Sequence, residues 1–108
     1  MLSISVSKRK IMIEQLGFVG IKILLALHES EEALYIREII REAKISSSTI
    51  NRALAVLSDF GLITYEYKFN RKFVRLTRAG REVAELIAKA DEIIEKTKKL
   101  KEQMLDNP

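Results

Sequence analysis

The sequence predicts an α+β, mainly helical fold that ends in one long helix. Three observations point there. Apolar residues recur at spacings of three and four through most of the chain, the period of a helix with one buried face. Two short runs, Leu62–Tyr67 and Lys72–Leu76, have strand composition instead, and Lys68-Phe69-Asn70-Arg71 joins them as a hairpin. From Val83 onward a heptad runs without a break to Met104. The chain of 108 residues suits one small domain with an appendage. We divide it into an N-terminal segment (1–16), a central domain (17–81) and a C-terminal helix (82–108).

In the first segment, Ile11, Met12, Ile13 and Leu16 are spaced for one or two helical turns docking on a partner. Phe18 to His28 is a helix, with Val19, Ile23, Leu24 and Leu27 on one face. Glu29-Ser30-Glu31-Glu32 is a polar loop, and Ala33-Leu34-Tyr35 is short enough for an edge strand. A second helix spans Ile36 to Ala43. Ile36, Ile39, Ile40 and Ala43 form its buried face, and Arg37, Glu38, Arg41 and Glu42 point away. Lys44-Ile45-Ser46 makes a turn, with Ser46 as N-cap of a third helix. There Ile50, Ala53, Leu54 and Leu57 are the apolar stripe, and Phe60 and Gly61 end it, Gly61 in the C-cap role. Thr77 caps the long last helix, from about Arg78 to Met104.

The third helix is the most informative element. Ser46, Ser47, Ser48, Thr49, Asn51 and Arg52 lie on or around the exposed side of its first turns. Small hydroxyls, an amide and a guanidinium suit a helix that enters the major groove, where base edges are read by hydrogen bonds. The net charge is +4, but it is uneven. Residues 35–81 carry a net +6, residues 1–34 are neutral and residues 82–108 carry −2. A basic centre attracts a polyanion and gains free energy by releasing its counterions.

This order of helix, short strand, helix, turn, helix, hairpin and helix resembles the winged helix-turn-helix domain of MarR-like and related bacterial and archaeal regulators. The resemblance runs from Phe18 to about Ile87. It is carried by IREIIREAKISSSTINRALAVL (36–57), by Gly61-Leu62-Ile63, and by Leu76-Thr77-Arg78-Ala79-Gly80-Arg81. It implies a recognition helix in the major groove. It also implies a wing whose Lys68, Asn70, Arg71, Lys72 and Arg75 meet the flanking backbone or minor groove. Tyr65, Tyr67, Phe69 and Phe73 are expected to pack the wing, with Phe69 at its tip lacking an obvious core to join.

The last helix has a coiled-coil seam of Val83, Leu86, Ala90, Ile93, Thr97, Leu100 and Met104, widened by Ile87 and Ile94. Glu85–Lys89, Glu92–Lys96 and Glu95–Lys99 are favourably ordered i,i+4 pairs, each contributing about 0.2–0.5 kcal/mol. The protomer has little to cover the stripe beyond Ala90, so a homodimer is expected, presenting two recognition helices to a pseudo-palindromic duplex. Parallel and antiparallel pairing are equally compatible with the seam.

Other classes find less support. With no cysteine there is no disulfide, thiolate metal site or Cys nucleophile. The single histidine, His28, sits at a helix end beside an acidic loop. No phosphate-cradling glycine pattern and no metal-ligand spacing occur. The chain is therefore not expected to be an enzyme or to use a cofactor or metal, and nothing in it specifies a small-molecule effector. No apolar run approaches the roughly 18 residues that span a bilayer. Lys8, Arg9 and Lys10 are not followed by a signal-peptide pattern, so cytoplasmic residence is expected. The reading is a dimeric, sequence-preferring double-stranded DNA-binding protein, a transcriptional regulator. An architectural DNA binder of low sequence preference and a winged-helix protein-interaction subunit are the alternatives.

Overall fold

A computed structural model describes residues 11–106, so the expectation for the N-terminal segment lies outside the described residues for 1–10. A short 3-10 helix, Ile13–Leu16, leads into α1 (Gly17–Ser30). β1 (Leu34–Tyr35), α2 (Ile36–Ala43), α3 (Ile50–Asp59), β2 (Ile63–Lys68), β3 (Arg71–Leu76) and α4 (Arg78–Asp106) follow. The three strands form one antiparallel sheet in the order β1-β3-β2.

The core lies where α1, α2, α3, the sheet and the base of α4 meet. Ile23, Leu24 and Leu27 from α1, Ile39 from α2, and Ile50, Leu54 and Leu57 from α3 are almost wholly buried, with Val74 from β3 and Ala84 from α4. Each large aliphatic side chain so placed stabilises the fold by about 1.5–3 kcal/mol. Most residues predicted from helical period on α1, α2 and α3 are found inside, with Val19, Ile36 and Ile40 half-buried at the edge of the core. Ala53 is only half-buried, and Phe18 lies outside at 88% exposure. Leu16 is buried, whereas Met12 and Ile13 stand in solvent.

Two boundaries differ from the sequence reading. α3 begins at Ile50, not next to Ser46. The serines are drawn into a turn of their own. The Ser46 carbonyl accepts from the Thr49 N–H at 3.3 Å and from its hydroxyl at 3.1 Å. The Ser46 hydroxyl lies 3.1 Å from that of Ser48 and 3.0 Å from that of Thr49. Hydroxyls that bond local backbone compete with helix hydrogen bonds, which is why the helix starts later. The hairpin is also tighter than expected. Lys68 and Arg71 pair across it, leaving Phe69 and Asn70 as a two-residue turn with φ of +51° and +61°. Positive φ at both central residues is the type I′ geometry that matches strand twist. A third correction concerns Glu38. It does not point away: its Oε1 accepts from the Tyr35 N–H at 3.1 Å, closing the start of α2.

Two junctions hold the hairpin between α3 and α4. At the end of α3, Leu62 N–H donates to the Leu57 carbonyl and Gly61 N–H to that of Ser58, both at 3.0 Å. This pair of bonds needs a left-handed residue at Gly61, whose φ is +74°. At the start of α4, the Thr77 hydroxyl accepts from the Gly80 N–H at 3.0 Å and donates to the Gly61 carbonyl at 2.6 Å. Thr77 is thus the N-cap expected of it. Gly80 has a separate reason: a Cβ there would sit 1.8 Å from the Leu62 carbonyl oxygen. The Thr-Arg-Ala-Gly sequence therefore clamps α4 onto the exit of α3.

Candidate nucleic-acid interface

α2, the turn after it and α3 make a helix-turn-helix, and α3 offers solvent the face the sequence predicts. Ser46, Ser47, Ser48, Thr49, Asn51 and Arg52 are all exposed. Ser46–Thr49 stand in the preceding turn, and Asn51 and Arg52 in the first turn of α3. Ser46, Ser48 and Thr49 already exchange hydrogen bonds. Among the described residues, no side-chain partner engages Asn51 or Arg52, so their donors are free for a ligand.

In the hairpin, the strand period of two divides the basic residues. Lys72 lies opposite Tyr67, on the face that also carries Ile63, Val74 and Leu76. Lys68, Arg71 and Arg75 lie on the other face with Thr64, Glu66 and Phe73. On that face Glu66 takes two of the cations: its carboxylate is 2.7 Å from Lys68 Nζ and 2.6 Å from Arg75 Nε. The hydrogen bond from Arg75, then that from Lys68, holds the Glu66 carboxyl at about 2, well below its ordinary 4.5. The other two cations rest on aromatic rings. The Arg71 guanidinium is 5.3 Å from the Tyr35 ring centre, and Lys72 Nζ is 4.0 Å from that of Tyr65. A ring face attracts a cation without neutralising it.

The aromatics divide as well. Tyr35 and Phe73 meet edge to face at 5.9 Å, and Tyr65 is half-buried. Tyr67 does not pack the wing as expected; it is largely exposed. Phe69 is 93% exposed at the hairpin tip beside Asn70.

The sequence reading missed three contributors. Glu66 and Tyr35 lie on the wing face, and Arg37 begins α2 beside it. Arg37 appeared only as an outward residue of an amphipathic helix. Its neighbourhood with Arg71 depends on β1 pairing with β3, which has no local signature.

α4 is anchored at one end. Gly80 and Ala84 are buried and Val83 and Ile87 half-buried, but every residue from Lys89 to Leu105 is exposed. Leu86, Ala90, Ile93, Ile94, Thr97, Leu100 and Met104 therefore form an uncovered stripe, which Leu105 extends. The Thr97 hydroxyl is satisfied by the Ile93 carbonyl at 2.8 Å. Of the predicted ion pairs, Glu92–Lys96 and Glu95–Lys99 close at 2.8 and 3.0 Å. Lys98–Glu102 adds a looser one at 4.0 Å. Near the root of the helix, an apolar groove of about 650 Å³ runs between it and the 3-10 helix, lined in part by Met12, Ile13, Leu86 and Ala90. Among the described residues, no His, Cys, Asp and Glu side chains cluster to hold a metal ion. No helix there is long and apolar enough to cross a membrane.

The model of the bacterial arsR family of regulatory proteins matches residues 21–65, from α1 into β2. Solved structures share the architecture over a longer span. Sso10a-2, a DNA-binding protein from Sulfolobus solfataricus, is 21% identical, with a TM-score of 0.65 over 80% of this chain and 92% of that one. A MarR-family transcriptional regulator from Silicibacter pomeroyi is 30% identical, with a TM-score of 0.60 over 68% of this chain and 51% of its own. ZitR of Lactococcus lactis is 23% identical, with a TM-score of 0.69 over 84% and 70%. No curated protein sequence matches the chain.

Proposed function

We propose that this chain, a winged helix-turn-helix domain of the fold shared with ArsR- and MarR-type regulators, binds double-stranded DNA as a homodimer and regulates transcription. The observation that carries the reading is an exposed polar helix face in a helix-turn-helix, followed at once by an exposed basic hairpin. Asn51 and Arg52 reach base edges in the major groove, and the hydroxyls of Ser46, Ser47, Ser48 and Thr49 hold neighbouring phosphates. The hairpin, through Asn70, Arg71 and Lys72 with Lys68 and Arg75 behind them, lies on the flanking backbone or minor groove. The second protomer joins through α4. Its uncovered apolar stripe spans most of a helix about 43 Å long at 1.5 Å per residue over 29 residues.

A second reading keeps the DNA and drops the sequence preference. It is favoured by the scarcity of base-reading groups on and before α3: of its exposed residues only Asn51 and Arg52 can make bidentate contacts, and hydroxyls accept almost any partner. Anisotropy titrations of labelled duplexes at about 50 and 200 mM salt decide the matter. A regulator binds one duplex selected from a random pool at least about 10³-fold more tightly than competitor DNA. Equal affinity for all duplexes, steep in salt, identifies an architectural binder. Absence of binding at low salt identifies a protein-interaction module and ends both DNA readings.

A further inference from the structure

Five basic side chains crowd the hairpin and its surroundings, and the structure sorts them by what already holds them. Lys68 and Arg75 have a carboxylate: both are within 2.7 Å of Glu66. Arg37, Arg71 and Lys72 have none within ion-pair distance among the described residues. The nearest acid in sequence to Arg37, Glu38, is turned onto the Tyr35 N–H. Glu42, further along α2, pairs with Arg41 at 3.7 Å.

Arg37 and Arg71 also share a place, whereas the Lys72 side chain lies over Tyr65 on the opposite face of the hairpin. β1 covers β3 only at Phe73 and Val74, so the edge of β3 is open at Arg71 and Lys72. α2 begins directly beyond β1 and brings Arg37 to that gap. Tyr35, Ile36, Arg37, Arg71 and Lys72 line a single cavity there of about 380 Å³. The ring of Tyr35, on the same face as Arg71, supports its guanidinium. The Arg71 guanidinium is thus oriented without being neutralised, which lowers the ordering cost of binding an anion. A site with two forked guanidiniums suits a phosphate oxyanion.

We propose that Arg37 and Arg71 form a seat for one backbone phosphodiester of bound duplex DNA, and that Lys68 and Arg75, occupied by Glu66, do not grip the duplex. This rests on the DNA-binding reading and says which cations carry it. Glu66 then acts as an internal competitor for phosphate that limits sequence-independent affinity.

The test is a salt titration of one random-sequence labelled duplex by anisotropy. Compared with wild type are Arg37→Ala, Arg71→Ala, Lys68→Ala, Arg75→Ala and Glu66→Gln, each checked by thermal melting. Arg37→Ala and Arg71→Ala are expected to weaken binding by about five- to tenfold at low salt. Each should flatten the slope of log K against log salt by roughly 0.9, one phosphate contact. Lys68→Ala and Arg75→Ala should stay within about twofold, and Glu66→Gln should bind more tightly with a steeper slope. Equal losses in all four cation variants, or an Arg37→Ala protein indistinguishable from wild type, would overturn the seat while leaving DNA binding intact. Wild type that binds no duplex at low salt would bring down the DNA reading and the seat with it. A separate arm adds inorganic phosphate at constant ionic strength and follows the arginine Nε–H resonances. Phosphate-dependent shifts of Arg37 and Arg71, with duplex affinity indifferent to both residues, would make the site one for a free anion and overturn its assignment to DNA.

Discussion

Single residues at the joints of this fold carry constraints that their types alone do not reveal. Gly80 is the sharpest. Its neighbour is the Leu62 carbonyl oxygen, which accepts from the Thr77 N–H at 3.0 Å, so Gly80→Ala must displace backbone rather than a flexible side chain. We expect a loss of roughly 1–3 kcal/mol or more, read as a lower urea midpoint, with intact far-UV helicity at low denaturant. Glu66 makes a pH prediction. Its folded-state value of about 2 lies below the ordinary 4.5, so its ion cluster stabilises fully above about pH 4.5 and is lost as pH falls towards 2. Carboxyl NMR should find the Glu66 midpoint well below the ordinary 4.5; a midpoint near 4.5 would show that the cluster does not form in solution. On the DNA side, Arg52→Ala should weaken binding most on preferred duplexes, whereas Arg71→Ala should weaken all of them alike. Equal losses on every sequence would contradict that division. The polar face of α3 was legible at this scale, because exposure follows directly from the apolar stripe opposite. Glu66 was not, because its hold on Lys68 and Arg75 exists only in the register of the strands.

At the scale of elements, legibility followed the strength of the local pattern. α2 lies where the sequence puts it, since its apolar and charged residues alternate at clean helical period and Glu38 closes its first turn. The start of α3 was placed too early because three serines and a threonine satisfy helix-capping chemistry and turn chemistry equally well. The hairpin tip was read too long because Phe69 is an unusual occupant of a left-handed turn position. A side chain with a Cβ pays roughly 1–2 kcal/mol there, and the pairing on either side of it offsets that cost. α4 was read correctly as a helix, and its stripe from Leu86 to Met104 is exposed as far as one protomer can show. The expected dimer gives that stripe its use. Ile93→Asp combined with Leu100→Asp should leave the melting temperature of the central domain almost unchanged, because neither side chain touches its core. Sedimentation should then report a monomer where wild type is a dimer. A wild-type monomer at micromolar concentration would remove the need for the stripe to pair.

Across the whole molecule, charge and apolar surface are segregated. The central residues 35–81 hold the positive excess and the last 27 residues a slight negative one. The C-terminal helix therefore repels a polyanion that the middle attracts, which orients the protein before contact. The clamp formed by Thr77, Gly61 and Gly80 also joins α4 to α3 and the hairpin through short hydrogen bonds and a carbonyl-to-glycine contact. That junction leaves no flexible linker to absorb a change in how two α4 helices meet. In the proposed dimer, a slip of one heptad would carry the DNA-facing surfaces about 10 Å along the helix axes, or about three base-pair steps of 3.4 Å. The clamp thus turns helix register into a ruler: the spacing of any paired half-sites is fixed by residues that never approach the DNA.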